Sequence, residues 1–311
     1  MLYALLFTAS LSIFSSFSNA EPLPIYNPSV PAATLPGYEE SLNLSPAFHV
    51  LQNDPELAEF ASQKYPNGQW VTDLCIPSSM ANLLLYQASQ KKEKWGGLLI
   101  PGLIPGSKTV EGASVVKDLI DRCQFEPSTA KNPGAGVGWF DSQRPNAINC
   151  LSEIYRNSGY DQAKITYIRN KFKNQVDPRL VGRNPTLADI QSAFQEGDEV
   201  LAMFSYQVED PATGLWRETG SHSVNLFGYS ANSADAGNSM VVYLQNSNRL
   251  YSMDFKTPVF DTALFTLNHD LRSTPAESSP IEVSTLQGRL INFAGKRTFL
   301  AGLLIIHINS P

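Results

Sequence analysis

The hydrophobic pattern divides the chain into two textures. Up to about residue 160 apolar positions recur at helical spacing, and beyond it they come in short runs broken by turn residues. Asp54-Pro55 supplies an N-cap and a first-turn proline for a short helix over residues 55–64. From residue 75 to about 90, Ile76, Met80, Leu84 and Ala88 repeat every four positions, and Leu83 and Leu85 widen the stripe. That predicts a central helix buried over much of its circumference. Helices are also expected over residues 110–123 and 145–157. Residues 95–107 and 133–140 are rich in glycine and proline. Both read as loops, although Gly134, Gly136 and Gly138 would let backbone approach a ligand closely.

In the second half, residues 164–183 concentrate Lys164, Arg169, Lys171, Lys173, Arg179 and Arg183. Such a run reads as a solvated face without a functional role. Thr186 caps a short helix that ends near Gly197. Strands are expected over residues 199–206, 223–229, 240–244, 250–255, 281–283, 289–293 and 299–308. Helices followed by strands imply an α+β fold, with lobes of about 53–160 and 161–311 packed face to face.

The N-terminus has its own character. Residues 1–20 carry an apolar core from Leu2 to Phe14 and end in Ser18-Asn19-Ala20, the pattern of a cleaved secretory signal, although no Lys or Arg precedes Lys64. Residues 21–52 hold Pro22, Pro24, Pro28, Pro31, Pro36 and Pro46 and favour extended backbone. This stretch is a linker, a strap over the body or a short pro-segment. Residues 299–308 are apolar but too short to span a bilayer. The expected location is therefore secreted or periplasmic, without stable membrane insertion after signal cleavage.

A net charge of −6 and a pI near 5.3 argue against nucleic acid as a partner. The three cysteines, Cys75, Cys123 and Cys150, leave at least one thiol outside any intramolecular bridge. Pairing Cys123 with Cys150 frees Cys75; the alternative places Cys75 in a bridge. Cysteines and histidines show no close zinc-type spacing, and no nucleotide-binding glycine fingerprint precedes a predicted helix, so no metal or cofactor is expected.

Four residues carry the candidate chemistry. Cys75 opens the central helix, where unpaired N–H groups favour a thiolate, the nucleophilic form. His222, in Gly-Ser-His-Ser-Val-Asn at the start of a predicted strand, is the candidate base. His307 sits in an apolar run and reads as a satisfied core residue, while His49 and His269 lie in less organised contexts. Asn246 follows an apolar strand and can accept a hydrogen bond from an imidazole N–H without adding charge. Gln69 can donate, with the Cys75 backbone N–H, to an oxyanion.

The motif Gln-x5-Cys opening a helix, then His-Ser-Val-x-x-x-Gly-Tyr, then Asn-Ser after an apolar strand, resembles the papain family of cysteine peptidases. The 147-residue interval from Cys75 to His222 matches that family's roughly 130–150. The resemblance covers residues 55–311 and implies a two-lobed fold, with a helical N-terminal lobe and a C-terminal antiparallel β-barrel-like lobe. It makes Cys75 the nucleophile, His222 the acid/base, Asn246 the orienting group and Gln69 the oxyanion donor, acting on a protein or peptide substrate. The chain departs from the family pattern at Cys75-Ile76-Pro77, closer to the Cys-Gly-Pro-Thr of bacteriocin-leader peptidases, and at Asn248, where a tryptophan is usual. Alternatives on the same fold are an amidase, deamidase or acyltransferase, and an inactive binding protein.

Overall fold

Asp54 and Pro55 open the first helix as the sequence predicts, with Asp54 Oδ1 accepting the Glu56 N–H at 2.9 Å. The computed structural model describes residues 52, 54–64, 74–90, 112–125, 139–140, 146–231, 238–247, 260–268, 279–287 and 296–308. The signal, residues 21–51, Gln69, both Gly/Pro-rich loops except Trp139 and Phe140, the expected strands at 250–255 and 289–293, His49 and His269 lie outside them. Five α-helices are described: α1 Pro55–Lys64, α2 Cys75–Gln90, α3 Gly112–Arg122, α4 Ala147–Asn157 and α5 Leu187–Gln195. The eight described strands are β1 Lys164–Ile168, β2 Leu180–Val181, β3 Glu199–Glu209, β4 Trp216–Ala231, β5 Ser239–Gln245, β6 Phe260–Leu267, β7 Ile281–Gln287 and β8 Arg297–His307. The fold is α+β. None of the described helices is long and apolar enough to cross a membrane.

Local chemistry explains the helix boundaries. Asn146 caps α4 by accepting the Asn149 N–H at 3.0 Å, so this helix begins beyond residue 145. Thr186 and Asp189 form a reciprocal capping box at the start of α5. That helix ends in a Schellman motif: the Gly197 N–H reaches the Phe194 carbonyl and the Asp198 N–H the Ala193 carbonyl. Gly197 has φ +74°, the left-handed conformation this turn requires. Cys123, just past α3, is bridged to Cys150 on α4, with Cα atoms 5.4 Å apart. Cys75 is free.

The eight strands form one mixed sheet in the order β2-β1-β8-β3-β4-β5-β6-β7, parallel only between β1 and β2. A further β7–β8 pairing bends the last six strands of that order into a barrel-like ring. The closure is reinforced where Arg297 pairs with Glu282 through both guanidinium and carboxylate, and where the Ser279 N–H donates to the Leu300 carbonyl at 3.0 Å. Alternation along β3 shows how the sheet joins two cores. Leu201 and Met203 pack with the helices, with Met80, Leu84, Leu119, Leu151 and Tyr155. Val200, Ala202 and Phe204 face the other way, into a core with Val224, Val242, Phe265, Val283 and the apolar side of α5. Each large side chain buried this way contributes about 1.5–3 kcal/mol.

One sequence reading needs correction, and one strand lies where none was expected. Residues 164–183 are not merely a solvated face. Ile165, Tyr167 and Ile168 are buried on β1, Leu180 is buried on β2, and Arg169 is itself buried with Nη1 3.1 Å from Met203 sulfur. The cationic residues between the apolar ones hid a strand pair. Residues 260–267 form β6, where Ala263 and Phe265 are buried in the core and Leu267 packs partly against it.

Candidate active site

Cys75 is the first residue of α2 and only partly buried. The Leu74 carbonyl accepts the Ser78 N–H at 3.0 Å, which places Cys75, Ile76 and Pro77 in the first turn. Backbone N–H groups there have no helical carbonyl to meet, so Pro77 sacrifices no hydrogen bond and the turn presents the positive end of the helix dipole. Every residue from 76 to 87 is buried, which holds the thiol on a rigid support.

Most polar side chains inside such a helix find a partner. Ser79, one turn beyond Cys75 and on the same face, donates from Oγ to the Ser223 carbonyl at 2.9 Å. Gln87 accepts from the Tyr155 hydroxyl at 3.0 Å. Ser223 directly follows His222, so the Ser79 bond ties the turn carrying the thiol to the strand carrying the imidazole. Sequence reasoning missed Ser79; a serine at i+4 from Cys75 in an apolar run was the available signal.

His222 lies on β4 opposite Phe204 of β3 and is 3% exposed. Its Nε2 is 2.7 Å from Asn246 Oδ1. Asn246 is fully buried just past β5, and antiparallel pairing of Asn225 with Gln245 carries it back toward His222. An amide oxygen only accepts, so Nε2 carries the proton and Nδ1 keeps the lone pair. Burial pushes His222 down to about 4, with the Asn246 hydrogen bond acting in the opposite sense. At neutral pH the ring is uncharged and able to take a proton. Gln69, the fourth expected residue, is outside the described residues.

Two further features escaped the sequence. Tyr206, on β3 two residues beyond Phe204, is buried, and its hydroxyl is raised above the ordinary tyrosine range by burial first and then by negative charge on Cys75. Tyr206 is therefore within electrostatic reach of the thiol. The β3 ladder slips beside it, between Tyr206 and Gln207 toward β4 and between Met203 and Phe204 toward β8. Such bulges re-aim side chains, and no sequence signal gives their position. The Gln52 N–H donates to the Ser247 carbonyl at 2.8 Å, fixing the chain's path beside Asn246 before α1 begins.

His307 is not an apolar-core histidine. It ends β8 partly exposed, with Nδ1 2.6 Å from Asp198 Oδ1, and Glu196 stands nearby. Among the described residues these three form the one group with metal-binding geometry. No protein-family profile matches the chain, and no curated protein matches it. The site is thus read from its own residues.

Proposed function

We propose that the protein is an exported, papain-like cysteine peptidase with two lobes meeting at α2 and β4. The observation that carries this reading is the buried His222–Asn246 hydrogen bond at 2.7 Å, on a strand held by Ser79 to the helix that Cys75 opens. The Cys123–Cys150 bridge, which leaves Cys75 as a thiol, is consistent with it, as is the signal-like N-terminus.

In the proposed reaction His222 Nδ1 takes the Cys75 proton as the sulfur attacks the substrate carbonyl. Proton transfer within the dyad creates thiolate and imidazolium together, so a buried site gains no net charge. The oxyanion is met by the Cys75 backbone N–H and by Gln69, each such donor contributing roughly 3 kcal/mol. Collapse of the tetrahedral intermediate breaks the C–N bond, and the imidazolium protonates the departing amine. His222 then takes a proton from water, whose oxygen attacks the thioester. The acid leaves and the thiol regains its proton. Asn246 holds the ring in the Nε2–H tautomer throughout. Replacing Cys75 by Ala should abolish cleavage of casein and of short peptide amides; proteolysis at the wild-type rate in that variant would reject the assignment.

A further inference from the structure

The turn between α5 and β3 places three metal-ligating side chains together, far along the chain from the thiol. The Schellman motif that ends α5 makes Gly197 its left-handed residue and sets Glu196 and Asp198 on either side of it. Pairing of Glu199 with Ile306 then brings the end of β8 alongside the start of β3, so His307 meets Asp198. Asp198 is 6% exposed and Glu196 is exposed. One ligand atom from each of Glu196, Asp198 and His307 lies within 4.8 Å of the other two. Ligands on a single tetrahedral ion, with bonds of roughly 2.0–2.2 Å, stand about 3.3–3.6 Å apart. A small rotation of the exposed Glu196 closes that difference.

The surroundings suit a cation. A cavity of about 280 Å³ lies against the cluster, lined also by Lys164, Thr166, Asp189 and Ser192, with room for an ion and its waters. The last carbonyls of α5 add the negative end of its dipole. Lys164, opposite His307 in register, opposes a second positive charge. Asp189 does not offset it, because its carboxylate is engaged by Arg183 and Thr186. Glu196, whose Oε1 accepts from the Ser192 hydroxyl at 3.2 Å, and Asp198 line the same cavity as that ammonium. Asp198 Oδ1 and His307 Nδ1 stand 2.6 Å apart, and an ion with both atoms as ligands would take the place of the proton they share.

We propose that Glu196, Asp198 and His307 form a divalent-cation site of the Zn²⁺ or Mn²⁺ class. One imidazole with two carboxylates selects these ions over Ca²⁺ and Mg²⁺, which take oxygen ligands. The site is independent of the thiol chemistry proposed above. Its occupant would pin the end of β8 to the α5–β3 turn.

The test titrates Zn²⁺ into the full chain carrying Cys75→Ser, which removes the free thiol as a competing ligand, at pH 7.5. Calorimetry should give one ion per chain, and the thermal midpoint should rise with Zn²⁺. Glu196→Gln changes an exposed side chain, preserves the Asp198–His307 bond and should weaken binding at least tenfold; His307→Gln should abolish it. The same order is expected for Mn²⁺, read by loss of its free-ion EPR signal. Failure to bind either ion at millimolar concentration overturns the proposal. So does equal affinity in the parent and Glu196→Gln, which would leave Asp198–His307 as an ion pair that only fastens β8.

Discussion

Burying an uncharged imidazole makes stability depend on pH, and His222 permits a worked case. Its folded value is about 4, against 6.5 when solvated, so between those limits the unfolded chain binds the extra proton. Stability from this group is complete above about pH 6.5, falls as pH drops toward 4, and is flat below. The 3% exposure calls for no solvent-screening discount. The full difference corresponds to about 3 kcal/mol, of which roughly 2 kcal/mol is lost between pH 7 and pH 5. The perturbation is His222→Gln, which removes the titration and keeps a polar group for Asn246. Urea unfolding at pH 7, 6 and 5 reads the outcome. With a slope of about 3 kcal/mol per molar, the wild-type midpoint should fall by roughly 0.6 M more than the variant's. Asp177, Asp189 and Glu282 are held below their ordinary values by Arg179, by Arg183 with Thr186, and by Arg297, so their losses come at lower pH, below this window. Parallel pH dependence in the two proteins would refute the buried neutral imidazole. A wild-type midpoint that rises on acidification would refute it more directly, since it requires a charged ring in the folded state.

Other consequences follow from single contacts. Asn246→Ala frees the His222 ring and should lower kcat at least tenfold with little change in KM, measured on a peptide amide, and cost about 1–3 kcal/mol of stability. Ser79→Ala removes the bond from α2 to β4 and should cost about 1 kcal/mol by urea unfolding, with a loss of kcat that a purely structural bond would not give. Reducing the Cys123–Cys150 bridge, which closes a separation of 27 residues, should cost about 3–4 kcal/mol, seen as a lower thermal midpoint in reductant. At Gly182 an added Cβ would lie 2.4 Å from the Lys173 Cα, so Gly182→Ala should destabilise by at least about 1–3 kcal/mol.

What could be read in the sequence was whatever local patterning controls. α2 was legible because Ile76, Met80 and Leu84 repeat at helical spacing and the helix is in fact buried. α5 was legible because Thr186 offers a cap and Gly197 a stop, and the structure uses both. His222 and Asn246 were found from their polar settings beside apolar runs, and they do meet, although His222 lies within β4 rather than at the start of a strand. The strand pair β1–β2 was missed because Lys164 and Arg169 flank its apolar residues and the positive charge dominated the pattern. His307 was misread because neighbouring leucines and isoleucines imply a core, whereas the strand ends there and Asp198 arrives from 109 residues away. Ser79, Tyr206 and Gln52 gain meaning only from register, from bulges and from a backbone bond across the fold. Those are long-range consequences that no local window contains.

The proposed function rests on Cys75 acting as a nucleophile activated by His222. The most direct measurement treats the full chain with an epoxide-type thiol inhibitor and maps the adduct by peptide mass spectrometry. The account predicts modification at Cys75 with loss of activity, and none at Cys75 when His222 is replaced by Ala. An adduct that forms equally fast in the His222→Ala variant, or one confined to another residue, would contradict it.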